Sequence, residues 1–284
     1  MTQATTNEPS QSPSQNPSTP PSLVQYRVEH GVAVLTLSNP PANTYSYEMM
    51  QALDQAILRA RFDDEAHVLL LTGGGERFFC AGADIAMLDR MGPSYKYNFC
   101  LHANETLLRL EQTPKLVIAA ISGHCVGGGL EVAMAADLRV APAEATFKIG
   151  LPEVALGVLP GTGGTQRLAR LVGKARALAL MAKGQNLSVA EAAALGLVTD
   201  LLPVAKEQRF LDAALAYART FCPPERAAMA VGRIKRAVQT GAEIPLEAGL
   251  ALERELQQQL FQSADAREGI RAYVEKRKPQ FQGR

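Results

Sequence analysis

The sequence is poor in the residues that announce a metal centre or a disulfide framework. Its four cysteines, Cys80, Cys100, Cys125 and Cys222, show no CxxC spacing, and its four histidines are scattered without ligand spacing. No metal is therefore expected. With no secretory signal, the cysteines are expected as reduced thiols in a cytoplasmic compartment. Basic and acidic residues balance, 29 against 28, and the basic ones form no cluster, which argues against nucleic acid as a partner. No apolar run reaches the length of a membrane span, so no membrane partner is expected.

What the chain does have is core. Apolar residues make up 47% of its 284 positions, enough for one large domain or two small ones. Residues 1–22 stand apart. They are mostly Ser, Thr, Gln, Asn and Pro with one charge, Glu8, and read as a disordered tail. That tail has no apolar h-region and no arginine, so neither a secretory signal nor a mitochondrial presequence fits it. Beyond Leu23, short apolar runs alternate with helical periodicity. Gln25 to Glu29 and Val32 to Leu37 read as paired strands around His30-Gly31. Ser46 caps a helix from Tyr47 to about Phe62, and Val68 to Thr72 reads as a buried strand. Met91 to Tyr97 reads as an irregular aromatic stretch, followed by a helix from Asn98 to Leu110. Leu138 to Val140 and Thr146 to Ile149 read as further strands. Such alternation implies an α/β fold with largely parallel pairing. From Lys174 the pattern is mostly helical, with expected helices at 174–183, 188–195, 206–221, 224–239, 245–262 and 264–276.

The stretch around which the chain is organised runs from Lys115 to Asp137. Lys115 to Ile121 reads as a buried strand, Gly127-Gly128-Gly129 as a turn, and Leu130 to Ala136 as a helix of small residues. A strand passing through glycines into a helix aims free backbone N–H groups at one spot, with the positive end of the helix dipole behind them. A carbonyl oxygen gaining negative charge would be stabilised there, and Glu131 stands beside it in the first helical turn. The plainer alternative is a tight turn and then a helix that carries an N-terminal Glu. Two other segments repeat the theme. In Gly73 to Ile85, small residues at a strand end let another backbone or a ligand approach, and Asp84 could cap the next segment. In Leu159 to Thr165, a second glycine loop opens a helix and could also turn backbone donors inward.

Five motifs, in this order, resemble the enoyl-CoA hydratase/isomerase (crotonase) superfamily. They are Phe79-Cys80-Ala81-Gly82-Ala83-Asp84-Ile85; Gly127-Gly128-Gly129-Leu130-Glu131; Leu151-Pro152-Glu153-Val154; the run from Pro160 to Leu168; and the run from Glu268 to Phe281. The resemblance extends from about Val24 to the C-terminus. It implies a crotonase-like core of repeated ββα units, here over 23–200, and a C-terminal helical region over 201–284 that builds homotrimers, often stacked into hexamers. It implies an acyl-CoA thioester as substrate and no cofactor beyond the CoA that the substrate carries. By position, Ala83 and Gly128 would supply the oxyanion hole. Ala42, Ala81, Ala83, Asp84 and Ile85 would line the CoA site, Asp84 in a structural role. Glu131 and Glu153 would be catalytic: Glu153 as the main acid/base, Glu131 orienting and activating water for addition to a 2-enoyl-CoA. Relatives that only shift a double bond often lack one of the two carboxylates. An isomerase, or a hydratase of dienoyl or cyclic acyl-CoA, is the enzymatic alternative, and a crotonase-fold scaffold the non-enzymatic one.

Other residues carry two readings each. Lys148 lies in a segment slightly longer than the family usually has, and either lengthens a strand edge or places a cation near the acyl pocket. Lys276, Arg277 and Lys278 either meet CoA phosphates or form a solvated basic end. Cys80 and Cys125 read as small buried residues before they read as nucleophiles. His124 reads as structural rather than as a base. His102 with Glu105 reads as a polar pair one helical turn apart. Tyr95, Lys96 and Tyr97 read as packing or as a wall of the acyl pocket.

Overall fold

The structure is a computed structural model and describes residues 22–283, so the expected tail, apart from Ser22, lies outside the described residues. Among the described residues, ten strands form two sheets. The larger contains β1 (Val24–Glu29), β2 (Val32–Leu37), β3 (Val68–Gly73), β5 (Leu116–Ala120), β7 (Leu138–Pro142) and β10 (Asp200–Leu202), in the spatial order β1-β2-β3-β5-β7-β10. β1 is antiparallel to β2 and every other pairing is parallel. The smaller sheet contains β4 (Phe78–Cys80), β6 (His124–Val126), β8 (Lys148–Gly150) and β9 (Asn186–Ser188), in that order, with β4, β6 and β8 parallel.

The long strands are apolar at successive positions because helices cover both faces of the larger sheet. All six residues of β3 are buried. Alternate residues feed separate cores, as the two-residue period of a strand requires. Leu35, Leu69, Leu71 and Val117 pack with helices α1 (Tyr47–Phe62) and α3 (Pro93–Glu111), while Val34, Val68, Leu70 and Ile118 pack with α8 (Phe210–Arg219). Ser46 caps α1, its side chain accepting from the Met49 N–H at 3.4 Å.

The expected ββα repeat is visible in the chain path. β3 leads to β4, then to α2 (Ile85–Arg90) and α3. β5 leads to β6, then to α4 (Gly128–Met134). β7 leads to β8, then to a 3₁₀ turn at Glu153–Leu156 and α5 (Gly164–Val172). Each repeat sends one long strand to the large sheet and one short strand to the small sheet. Because β4, β6 and β8 are neighbours and parallel, the segments leaving them emerge side by side.

Several boundaries differ from expectation. α3 starts at Pro93, not Asn98, because proline suits a first helical turn where its missing N–H is no loss; the stretch 93–97 is therefore helical. The expected strand over 146–149 is β8, shifted to Lys148–Gly150. The short strands β4, β6, β9 and β10 have three residues each, too few to show a two-residue period. After α6 (Lys174–Lys183) and α7 (Val189–Ala194) come α8, α9 (Ala228–Gly241), α10 (Leu246–Phe261) and α11 (Ala264–Val274). Ser188 and Glu191 form a capping box at the start of α7. α8 and α9 are shorter than expected at their N-termini. No helix among the described residues is long and apolar enough to cross a membrane.

Candidate active site

The site is built where the segments after β4, β6 and β8 converge. After β4, Gly82 adopts φ +93°, which lets the chain double back toward α4. A Cβ on Gly82 would lie 3.0 Å from the Gly128 nitrogen and 3.3 Å from the Val126 carbonyl oxygen, so only glycine permits this approach without displacement. Two bonds from Tyr45 clamp the segment. The Tyr45 N–H donates to Gly82 O at 2.9 Å, and the Asp84 N–H donates to Tyr45 O at 3.0 Å. In this parallel bridge Ala83 is the residue between the two bonds, and its own N–H takes part in neither.

After β6, Gly127 takes φ +57° and its N–H donates to Gly150 O at 2.9 Å, tying the ends of β6 and β8 together. Gly128 opens α4, so its N–H has no intrahelical acceptor. A Cβ on Gly129 would collide with the Cys80 carbonyl, which explains the second glycine of that helix. Among the described residues, the Ala83 and Gly128 N–H groups have no backbone acceptor, and they lie on adjoining segments.

Glu131 lies one turn into α4 and is 2% exposed. Its Oε1 accepts from the Thr162 N–H and the Gly164 N–H, each at 2.7 Å. Those donors belong to the second glycine loop, where Gly163 takes φ +102° and Gly164 opens α5. The loop is fixed from behind. Asn104 Nδ2 donates to Gly161 O at 3.1 Å. Arg167, paired with Glu111 at 2.9 Å, donates to Thr162 O at 3.2 Å. Burial pushes the Glu131 carboxyl up, and the Gly164 and Thr162 N–H groups pull it back down.

Glu153 begins the 3₁₀ turn after β8 and is half-buried. A Cβ on Gly127 would lie 3.1 Å from Glu153 Oε1, so this carboxyl sits against the glycine turn that opens α4. Its Oε2 is buried and has no hydrogen-bond partner among the described residues. Burial, reinforced by the charge of Glu131, pushes the Glu153 carboxyl up to about 7. A carboxyl that titrates near neutrality beside donors for an oxyanion suits proton transfer to and from carbon.

The remaining expected residues fall into two groups. Ala42 and Ala81 adjoin the site: Ala42 O accepts from the Ala81 N–H at 3.0 Å. Asp84 caps α2, accepting from the Met87 N–H at 3.1 Å, and Ile85 is exposed beside it. Lys148, in contrast, is exposed at the start of β8, opposite Ser188, and its charge acts on Glu191. Lys276 and Lys278 come after α11, in a segment whose end packs beside His67 and Pro223. Among the described residues, no hydrogen bond or ion pair joins either lysine to Glu131, Glu153, Ala83 or Gly128.

Cys80 and Cys125 are fully buried, and burial pushes the Cys80 thiol up to about 12 and raises the Cys125 thiol as well, which suits packing rather than nucleophilic attack. His124 Nδ1 accepts from the Lys148 N–H at 3.1 Å, and the ring packs against Phe78 and Phe147, a structural histidine. A cleft of about 840 Å³ near Thr72 to Glu76 and Pro142 to Phe147 includes neither carboxyl nor either free N–H; the chemistry, not the volume, locates the site. Thr162 is legible in the sequence only as part of a glycine loop. Tyr45 gives no sequence signal, since an aromatic after a proline-rich loop reads as core.

Comparison with known proteins identifies the family. The family model for enoyl-CoA hydratase/isomerase matches residues 27–284. A probable enoyl-CoA hydratase of Bacillus subtilis is 38% identical over 261 residues, covering 92% of this chain and 98% of its own. The short-chain-enoyl-CoA hydratase of Clostridium acetobutylicum is 37% identical over 251 residues, covering 88% and 94%. An enoyl-CoA hydratase crystal structure from Geobacillus kaustophilus superposes with a TM-score of 0.88 at 43% identity, covering 94% and 98%. The chain belongs to the enoyl-CoA hydratase/isomerase family and has the crotonase fold.

Proposed function

We propose that this enoyl-CoA hydratase adds water across the C2–C3 double bond of a 2-enoyl-CoA with Glu153 as acid/base, Glu131 as the water-orienting carboxylate, and the Ala83 and Gly128 N–H groups as the oxyanion hole. The thioester oxygen accepts from the two N–H groups, which favours electron flow from C3 toward that oxygen. Water held between the carboxylates attacks C3. Glu153 takes one of its protons and delivers it to C2 on the same face, giving the 3-hydroxyacyl-CoA. Glu131 accepts the other water hydrogen and keeps its charge, because two backbone donors already hold it. Atoms balance as one water added, with no change in redox state and no cofactor beyond the CoA of the substrate. The reverse reaction uses the same ionised Glu153 to remove the C2 proton.

The observation that carries this reading is the pairing of one anchored and one poised carboxyl beside the glycine turn Gly127–Gly129. Short-chain crotonyl-CoA is the probe. The conjugated enoyl-thioester absorbance should disappear with the wild type and persist with Glu153→Gln. CoA ligands that bind without hydration would redirect the assignment to an isomerase or to a bulkier acyl group. Absence of any CoA binding would favour a scaffold.

Homotrimers or hexamers are proposed from the C-terminal helices, which leave Ile234, Val238, Leu246, Phe261, Ile270 and Tyr273 exposed. Lys276 and Lys278 then serve a CoA phosphate only across a subunit boundary. The four free thiols support a reducing, cytoplasmic setting.

A further inference from the structure

One buried residue outside the set of carboxylates and N–H donors touches three of the four parts of this site. Tyr45 is 3% exposed. Its backbone brackets Ala83, through the bonds to Gly82 O and from the Asp84 N–H. Its side chain then crosses to the second donor loop. A Cβ on Gly128 would fall on the Tyr45 hydroxyl, so the hydroxyl is packed directly against the residue that opens α4. The same hydroxyl lies 3.1 Å from Thr162 Oγ1, and the Thr162 N–H donates to Glu131 Oε1 at 2.7 Å. Phe99, with its ring centroid 5.9 Å away, supports the Tyr45 ring.

We propose that Tyr45 is a positioning residue for hydration: its hydroxyl bonds Thr162 Oγ1 and so fixes the residue whose N–H anchors Glu131, while its backbone holds Ala83 in the segment beside Gly128. A core aromatic needs no hydroxyl, and a buried hydroxyl needs a partner. The partner here is the residue that anchors the water-orienting carboxylate. The contact fixes Thr162 in place, and the Thr162 N–H is one of the two that hold Glu131 Oε1. Burial and the nearby Glu131 charge push the Tyr45 hydroxyl well above its ordinary value, which keeps it a donor at every working pH. The Thr162 hydroxyl in turn pulls Glu131 down. The result is one continuous connection from the Ala83 segment, past Gly128, to Glu131.

This proposal rests on the hydration reading, and its test separates the two. Crotonyl-CoA hydration is measured in the full chain for wild type, Tyr45→Phe, Thr162→Val, Thr162→Ser and the Tyr45→Phe/Thr162→Val double variant, with kcat, KM and melting temperature determined separately. Tyr45→Phe keeps the ring and the backbone bridge. It should lower kcat about tenfold, the scale of one buried hydrogen bond, with KM little changed. The acid limb of its kcat profile should move to higher pH, because Glu131 loses support for its charge. Thr162→Val should match it, the double variant should be no worse than either single one, and Thr162→Ser should retain the wild-type rate. A Tyr45→Phe enzyme with wild-type kcat and pH profile, whatever its melting temperature, overturns the proposal and leaves hydration standing. So do losses that multiply in the double variant. A wild type inert toward short, long and aryl 2-enoyl-CoA alike overturns the hydration reading and this proposal with it.

Discussion

Glu131 and Glu153 are the same side chain in two regions built differently, and that contrast is the ground for proposing different roles. Glu131 lies in α4, a helix in which all seven residues are buried, and both its N–H donors come from a loop fixed by Arg167 and Asn104. Glu153 lies in a short turn with no fully buried residue, with one oxygen beside Gly127 and the other without a partner among the described residues. Burial raises both carboxyls. Only Glu131 is given neutral backbone donors from another loop that recover its charged form. A carboxylate with fixed donors orients; a carboxyl left partly unsatisfied near neutrality exchanges protons.

The strongest way to break the contrast is to remove the exchanging group. Glu153→Gln should lower kcat for crotonyl-CoA by about a thousandfold, with CoA-ester binding retained, as steady-state kinetics and ligand titration would show. Glu131→Gln should cost less, about a hundredfold, because its amide oxygen can still accept from Thr162 and Gly164. An equal loss in the two would mean that the division of labour is wrong. Gly128→Ala attacks the proposed oxyanion donor: its methyl would strike the Tyr45 hydroxyl and shift the N–H, and about a hundredfold should be lost from kcat.

Stability sharpens the same contrast. Glu153 titrates higher in the folded chain than in the unfolded one, so between those two values the folded state binds more protons and stability falls as pH rises. Glu153→Gln should therefore melt at a higher temperature than wild type at pH 8, and the difference should vanish in acid, where both states of the wild type are protonated. A variant less stable than wild type at pH 8 would contradict the burial of that charge. Away from the site, Lys235 of α9 pairs with Asp137 just beyond α4, at 2.8 Å, with side chains 4% and 8% exposed. Lys235→Met should destabilise by about 3 kcal/mol, because it strands a buried carboxylate. It should barely change kcat, since Asp137 keeps the Val117 N–H at 2.7 Å and does not touch Glu131's donors.

Much of this arrangement is legible in the sequence, and the limits are physical. Gly127 to Glu131 announces a strand–turn–helix unit because three glycines and a run of small residues admit few other local structures. The loop from Pro160 to Thr165 does the same. The strands that bring these loops together are not legible. β4, β6 and β8 span three residues each, and their pairing is a property of the assembled repeat. Pro93 reads as a breaker in a linear pattern, yet it starts α3. The direction of Lys148 is fixed by β8 pairing with β9, which the segment's own sequence does not encode. Tyr45 meets Thr162 across 117 positions of chain, a contact no local pattern contains.

The most direct test of the two-carboxylate assignment is the pH dependence of kcat/KM for crotonyl-CoA in wild type and Glu153→Gln. In the free wild-type enzyme the rate should rise with pH through a single ionisation near 7, as Glu153 gives up its proton to become the base. The residual activity of Glu153→Gln should lack that ionisation. A wild-type profile flat through neutrality, or the same limb persisting in the variant, would show that another group moves the proton.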